Sequence, residues 1–281
     1  MTLAGARERP APPAGGLGHP RVHARRIDST NDRARQLAIA GAPHGTAVTA
    51  AEQSAGRGRQ GRAWLAPPAG ALLCSLVLRD PPPLLSLIAG VAVCEALDGY
   101  PMAGQPHEAH DKRALLKWPN DVVVERPGTA GGAPGQTPAE SEQPTLAKLA
   151  GILVEGRPQE GWAVLGIGLN VALQVADLPA ELHGRAASLE LEPSAIEPLF
   201  ERLLETLLER LSEQPDVTLD AWRARDALYG RQIAWGAHGA QSRGERGQAE
   251  GIDRDGRLLI RSDSGAAAAL SAGEVHLESV G

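Results

Sequence analysis

Apolar positions follow two rhythms along the 281 residues. Between Ser194 and Leu211 they fall at Ile196, Leu199, Phe200, Leu203, Leu204, Leu207, Leu208 and Leu211, a three-and-four spacing that puts one stripe on an amphipathic helix. Thr218 to Leu228 predicts a second, shorter helix. Ala71 to Arg79 is apolar without interruption and reads as a buried strand. Beyond Pro81–Pro83, Leu84 to Leu97 predicts an apolar helix. Short β-prone runs cover Val22–Ile27, Thr46–Glu52, Arg113–Trp118 and Val122–Glu125, and Lys148–Glu155 and Trp162–Leu169 suit adjacent strands. Asp28 or Ser29 can cap a helix from Thr30 to about Ala40, which Gly41 and Pro43 stop. Gln53 to Gly70, with Gly, Arg and two prolines, predicts a long loop. From Gly230 onward, short β-runs and tight turns such as Asp255-Gly256 predict a small all-β barrel of about 50 residues.

Strands and helices mix without the regular rhythm of a parallel sheet, so the expected fold class is α+β, a mixed sheet with helices on one side. The expected division is a disordered tail over 1–20, rich in Pro, Gly, Ala and Arg, a catalytic domain over 21–229, and the small β domain over 230–281. Within the catalytic domain, 126–145 has no periodicity and reads as a disordered hairpin insertion. Hydrophobic residues make up 42%, enough for a sizeable core, and the net charge of −6 argues against a general binder of nucleic acid or anionic membrane. No apolar run reaches the roughly 18 residues of a membrane span. No secretory leader is recognisable, and the expected compartment is the cytoplasm. Cys74 and Cys94, in apolar stretches, read as buried free thiols, with a disulfide as the alternative.

Only three lysines (Lys112, Lys117, Lys148) stand against 25 arginines, and only three asparagines (Asn31, Asn120, Asn170) are present. Arg cannot replace a compact ammonium, nor Asp an amide donor, so these residues point to places where their own chemistry counts. Gly56-Arg57-Gly58-Arg59-Gln60-Gly61 fits a dinucleotide-type glycine pattern after a strand. That pattern needs a helix next, and Pro67-Pro68 argue against one. The same stretch suits anion binding: glycines let backbone N–H groups approach, Arg57, Arg59 and Arg62 add forked donors, and Trp64 offers a flat apolar face. A solvated linker and an RNA-binding segment are the alternatives. Lys117-Trp118-Pro119-Asn120-Asp121 sets an amide beside a carboxylate at a strand junction, or is an ordinary hairpin turn. Lys148 opens a strand that Gly151 interrupts, which marks close approach of a ligand or an edge guarded by a lysine. Gly166-Ile167-Gly168-Leu169-Asn170 repeats the theme.

Taken in order, Ser29-Thr30-Asn31, Glu52 to Trp64, Lys117 to Asp121, Lys148 to Glu155 and Gly166 to Asn170 resemble the signature of the biotin–protein ligases, over about residues 21–277. The resemblance implies a class II synthetase-like catalytic domain, an SH3-like C-terminal barrel, and ATP and biotin as substrates with Mg²⁺. It implies biotin contacts from Ser29, Thr30, Asn31, Gln53, Arg57, Gly58, Arg59, Lys148, Gly151 and Gly166. ATP contacts would come from Arg59, Arg62, Trp64, Asn120, Lys148 and Asn170. Lys148, Arg59 and Asp121 would be catalytic, with Mg²⁺ near Asp121 and no metal motif otherwise. Biotinyl-5′-AMP would form first, and the acceptor would be a lysine of a biotin carboxyl carrier protein. No DNA binding is expected, since only a short tail precedes the catalytic region, and a homodimer is left open. A lipoate or octanoate ligase of the same fold is the rival enzyme. A non-catalytic biotin-binding module is the rival of another class.

Overall fold

The computed structural model describes residues 16–100, 113–126, 145–236, 245–271 and 274–277. A seven-stranded sheet forms its centre, in the order β1-β2-β3-β7-β6-β5-β4. The strands are β1 (Arg21–Ala24), β2 (Ala47–Ala50), β3 (Ala71–Arg79), β4 (Leu115–Lys117), β5 (Asp121–Arg126), β6 (Thr145–Arg157) and β7 (Trp162–Asn170). Only β1 and β2 pair in parallel; the other neighbours are antiparallel. The sheet is therefore mixed, as the sequence predicts.

Its helices lie on both faces. Leu72, Cys74, Leu76 and Leu78 of β3 join the main core beneath α2 (Leu85–Ala96), α3 (Ile196–Ser212) and α4 (Pro215–Arg223). Val77, which points the other way, packs with Val48, Val164 and Trp162 against Ala34 and Ala38 of α1 (Thr30–Ile39). This corrects the expectation of helices on one side: α1 is mostly polar, and its two alanines suffice to seat it on the second face. Ser29 caps α1, its hydroxyl accepting from the Asp32 amide. α4 starts and ends earlier than its apolar spacing suggested, because Pro215 is well placed in a first helical turn.

The C-terminal part is a five-stranded antiparallel sheet in the order β11-β10-β9-β8-β12, from β8 (Gln232–Gly236), β9 (Glu245–Ile252), β10 (Leu258–Ser262), β11 (Ala267–Leu270) and β12 (Glu274–Leu277). Among the described residues β11 and β12 do not pair with each other, so the expected barrel is not closed. Residues 16–20, expected in the tail, are placed. Leu17 is buried in the main core and the Gly18 amide donates to the Gly45 carbonyl, because one leucine on an apolar wall outweighs the tail-like composition around it. Residues 1–15 lie outside the described residues, as do 127–144 of the expected insertion. Its two ends do not: Arg126 and Thr145 pair as strand residues. Among the described residues no helix is long and apolar enough to cross a membrane.

Candidate functional site

Two neighbouring cavities open beside α1, on the site-facing side of β3, β7 and β6. The smaller measures about 460 Å³ with its open mouth and is lined by Ser29, Thr30, Asn31, Gln53, Arg57, Gly58, Arg59, Trp64, Asn120, Lys148, Gly151, Gly166 and Gly168, among others. Its inner end is a polar network. Gln53 Oε1 accepts from the Thr30 amide at 2.7 Å and from Thr30 Oγ1 at 3.0 Å. Ser75 Oγ, fully buried on β3, lies 2.9 Å from Thr30 Oγ1 and donates to Asn31 Oδ1 at 2.6 Å. A Cβ on Gly166 would come 2.0 Å from Asn31 Oδ1, so only glycine lets the asparagine lie on the strand. Cys74 borders the same cavity. Its side chain belongs to the main core on the other face of β3, where burial pushes the thiol up to about 12, so it stays protonated.

The roof is a strap made from residues 56–64, within the stretch expected to be a plain loop. It folds as a small hairpin: the Trp64 amide donates to the Gly56 carbonyl, the Gly58 amide to the Arg62 carbonyl, and Arg57 pairs with Ala63. Gln60 and Gly61 turn at its tip in the left-handed region. The indole of Trp64 rests on Gly168, where a Cβ would come within 2.6 Å of the ring, and on Gly151, at 2.9 Å. Arg59 of the strap donates to Asn120 Oδ1 at 3.1 Å, and Asn120 Nδ2 donates to the Ile152 carbonyl. The Asn-Asp turn is thereby tied to both strap and sheet.

On the far side of Trp64 lies a larger cleft, roughly 1410 Å³ with its mouth, bordered by Arg59, Arg62, Trp64, Lys117, Asn120, Asp121, Lys148, Asn170 and Arg185, with Val275 from the C-terminal sheet. Lys148 Nζ sits 2.6 Å from Asp121 Oδ1, a charge contact rather than an aligned hydrogen bond, and 5.6 Å from the centre of the Trp64 ring. Two buried polar atoms at this cleft, Trp64 Nε1 and Asn170 Oδ1, find no partner in the protein, while Asn170 Nδ2 is satisfied by the Ala187 carbonyl.

Lys148 and Gly151 both face the site although they stand three residues apart, which in a regular strand would put them on opposite faces. The cause is a bulge. Val122 pairs with Ala150 but Val123 with Lys148, so Leu149 is an extra residue that shifts the alternation. The Lys148 backbone is held instead by residues 185–187, its amide donating to the Arg185 carbonyl and its carbonyl accepting from Ala187.

Comparison with known proteins decides the kinship. Residues 23–171 match the model of the biotin/lipoate A/B protein ligase family, and residues 244–277 match the biotin protein ligase C-terminal domain. The biotin–[acetyl-CoA-carboxylase] ligase of Paracoccus denitrificans is 34% identical over 257 residues, covering 85% of this chain and 93% of that protein. The chain belongs to the biotin/lipoate A/B protein ligase family. The bifunctional ligase/repressor BirA of Bacillus subtilis is 33% identical over 171 residues, covering 58% of this chain; the match spans only 44% of that longer protein. In fold, the biotin protein ligase of Aquifex aeolicus, solved with biotin and ATP, superposes with a TM-score of 0.68 at 24% identity, covering 93% of this chain and all of that one.

In this family member every residue to which the resemblance gave a role borders one of the two cavities, Gly58, Arg59, Trp64, Asn120 and Lys148 border both, and Lys112 lies outside the described residues. Sequence reasoning missed Ser75, Asp32, Glu155 and Arg185, and noted Lys117 and Gly168 within their motifs without giving either a role. Ser75 had a signal, as the single polar residue within Ala71–Leu78. Glu155 and Asp32 receive the Arg57 guanidinium at 3.1 and 2.6 Å, a pairing across distant segments that no local pattern reveals.

Proposed function

We propose that this protein is a biotin–protein ligase, which joins biotin and ATP into biotinyl-5′-AMP and passes the biotinyl group to a lysine of a biotin carboxyl carrier protein. The observation that carries this reading is the wall common to the two cavities. Arg59 and Lys148 stand in it, so a carboxylate held in the smaller cavity and an α-phosphate held in the cleft would meet beside two cations. Two anions repel as they approach, and fixed cations in a partly desolvated site offset that repulsion most strongly as the new bond forms. The carboxylate oxygen attacks the α-phosphorus, the bond to the β-phosphate bridge breaks, and pyrophosphate leaves.

The smaller cavity's Ser29, Thr30, Asn31 and Gln53 offer donors and acceptors suited to a cyclic urea, with Gly151 and Gly166 leaving room and Arg57 and Gly58 closing from the strap. We assign Arg62, Trp64, Asn120 and Asn170 to the nucleotide. The unpartnered Trp64 N–H and Asn170 carbonyl support this, since adenine supplies both an acceptor and a donor. Asp121 is the one carboxylate among the described residues lining the cleft. Together with ATP's own oxygens it makes a ligand set that Mg²⁺ accepts, and the ion when bound would neutralise phosphate charge. In the second step the carrier's amine attacks the acyl carbon and AMP leaves, Asp121 orienting the amine. The strap shields the mixed anhydride from water meanwhile.

We further propose residues 21–229 as the catalytic domain and 230–281 as an SH3-like domain, the described five-stranded sheet being its open form. Two free buried cysteines fit a reducing compartment. Against a lipoate or octanoate ligase stand the polar inner end of the cavity and the match to a biotin protein ligase C-terminal domain. ATP–pyrophosphate exchange with biotin, lipoate and octanoate in parallel tests the assignment: biotin alone should support exchange. Exchange driven by either fatty acid, with biotin silent, overturns it.

A further inference from the structure

We infer that Glu155, which borders neither cavity, is a positioning residue for the urea-binding end of the site, acting through Asn31 and through the strap. The inference rests on the biotin reading above. Glu155 follows Gly151 and Leu153 on the site-facing side of β6. Its two carboxylate oxygens are divided between two tasks: Oε2 accepts from Asn31 Nδ2 at 2.9 Å, and Oε1 accepts from Arg57 at 3.1 Å. A second Arg57 nitrogen reaches Asp32 Oδ1, on the first turn of α1, at 2.6 Å.

The first task sets a polarity. A carboxylate only accepts, so the NH₂ of Asn31 must face Glu155 and its oxygen must face the site. That oxygen then takes the Ser75 hydroxyl proton, at 2.6 Å. Thr30 in turn gives its own proton to Gln53 Oε1. The second lone pair of Asn31 Oδ1, the lone pairs of Thr30 Oγ1 and the Gln53 NH₂ are what remains for a ligand in the cavity these three residues line. Acceptors for two urea N–H groups and a donor for the urea carbonyl are the complement that a cyclic urea needs. The amide of Asn31 is held in this sense by its two hydrogen bonds, its NH₂ to Glu155 and its oxygen from Ser75.

The second task anchors the strap. Arg57 is a strap residue, and its fork spans two carboxylates from α1 and β6, so the strap is held down at its base, at the smaller cavity, while its tip at Gln60 and Gly61 stays solvent-facing. Glu155 thus couples the orientation of the urea end to the seating of the roof.

Glu155→Gln keeps the volume but cannot accept at both oxygens: the new NH₂ must face either Asn31 or Arg57. Initial rates of exchange should show KM for biotin raised about tenfold, in line with loss of a charge-assisted hydrogen bond. KM for ATP, and the thermal midpoint of the unliganded protein, should stay at wild-type values. Glu155→Asp, which retains both acceptors on a shorter arm, should recover part of the biotin KM. An unchanged biotin KM in Glu155→Gln, or biotin and ATP constants rising together with a lowered midpoint, sinks the inference. The wild type is the control that separates the two ideas. If it shows no exchange with biotin, the function assignment fails and takes this role with it; if it is active, a failing variant result removes only the role of Glu155.

Discussion

Lys148 is one of three lysines in the chain, and its ammonium lies against Asp121 and over the Trp64 ring, at the boundary of both cavities. Arginine is planar and bulkier, and could not reach the same point between two anions. Replacing Lys148 by alanine should slow biotin-dependent pyrophosphate release by about 10²–10³, the usual loss for one donor aimed at developing charge. The side chain is partly exposed, so the fold should persist; near-normal release by a folded Lys148→Ala protein removes the residue from the chemistry. At this scale the sequence was informative because rarity marks constraint: all three asparagines and two of the lysines fall at the cavities. Glu155, Asp32 and Ser75 carried weaker marks. Glu and Asp are common in this chain, and nothing local tells a carboxylate that meets a distant arginine from one that meets water.

Among the elements, β3 and α2 were legible nearly to the residue, because an unbroken apolar run can only be buried. The strap was not. Its glycines and prolines signal irregular chain, but the hairpin forms because Trp64 finds a seat on Gly168 and Gly151, two strands away. That dependence can be measured. Gly168→Ala places a methyl within 2.6 Å of the indole and should cost about 1–3 kcal/mol of stability, the usual range for overpacking. In a Trp64→Ala background the same change should cost little. Equal costs in both backgrounds, by denaturant unfolding, would mean that Gly168 does not make room for the ring. The bulge at Leu149 is a second decision of this kind. Alternation along 145–157 suggests nothing unusual, yet without the extra residue Lys148 would face the core.

Across the whole molecule, the junction between the two sheets is continuous with the main core, which takes in Ile233, Trp235, Ile252, Leu258 and Ile260, and polar contacts cross it as well: Trp118 Nε1 donates to the Gly256 carbonyl, Arg223 to the Ile252 carbonyl, and Arg231 pairs with Glu125, while the 225–227 segment bonds to Leu116 on both sides. Asp226 lies in that junction. Its Oδ1 accepts from the Leu228 amide, its Oδ2 is buried without a partner, and burial pushes its carboxyl up to about 6. The unfolded value is about 3.9, so the native state holds this proton more tightly than the unfolded chain does. Its contribution is therefore favourable at low pH and is lost as pH rises from about 4 through about 6, by roughly 3 kcal/mol at most. Asp226→Asn keeps the accepting oxygen and removes the charge. The stability gain of the variant over wild type should grow between pH 4.5 and pH 7, in a range set by that shift. A difference independent of pH would show that Asp226 ionises as freely in the folded protein as in the unfolded one.

Sequence alone determined the elements whose burial is written in local spacing, the mixed character of the sheet, and many of the residues that line the two cavities, since each rests on short-range chemistry or on an ordered set of motifs. Tertiary structure alone decided that α1 covers the second face, that a one-residue bulge turns Lys148 toward the cavities, and that Arg57 ties the strap to α1 and β6. Those outcomes depend on which surfaces meet across long stretches of chain, and a hydrophobic pattern records that a residue is buried without recording against what.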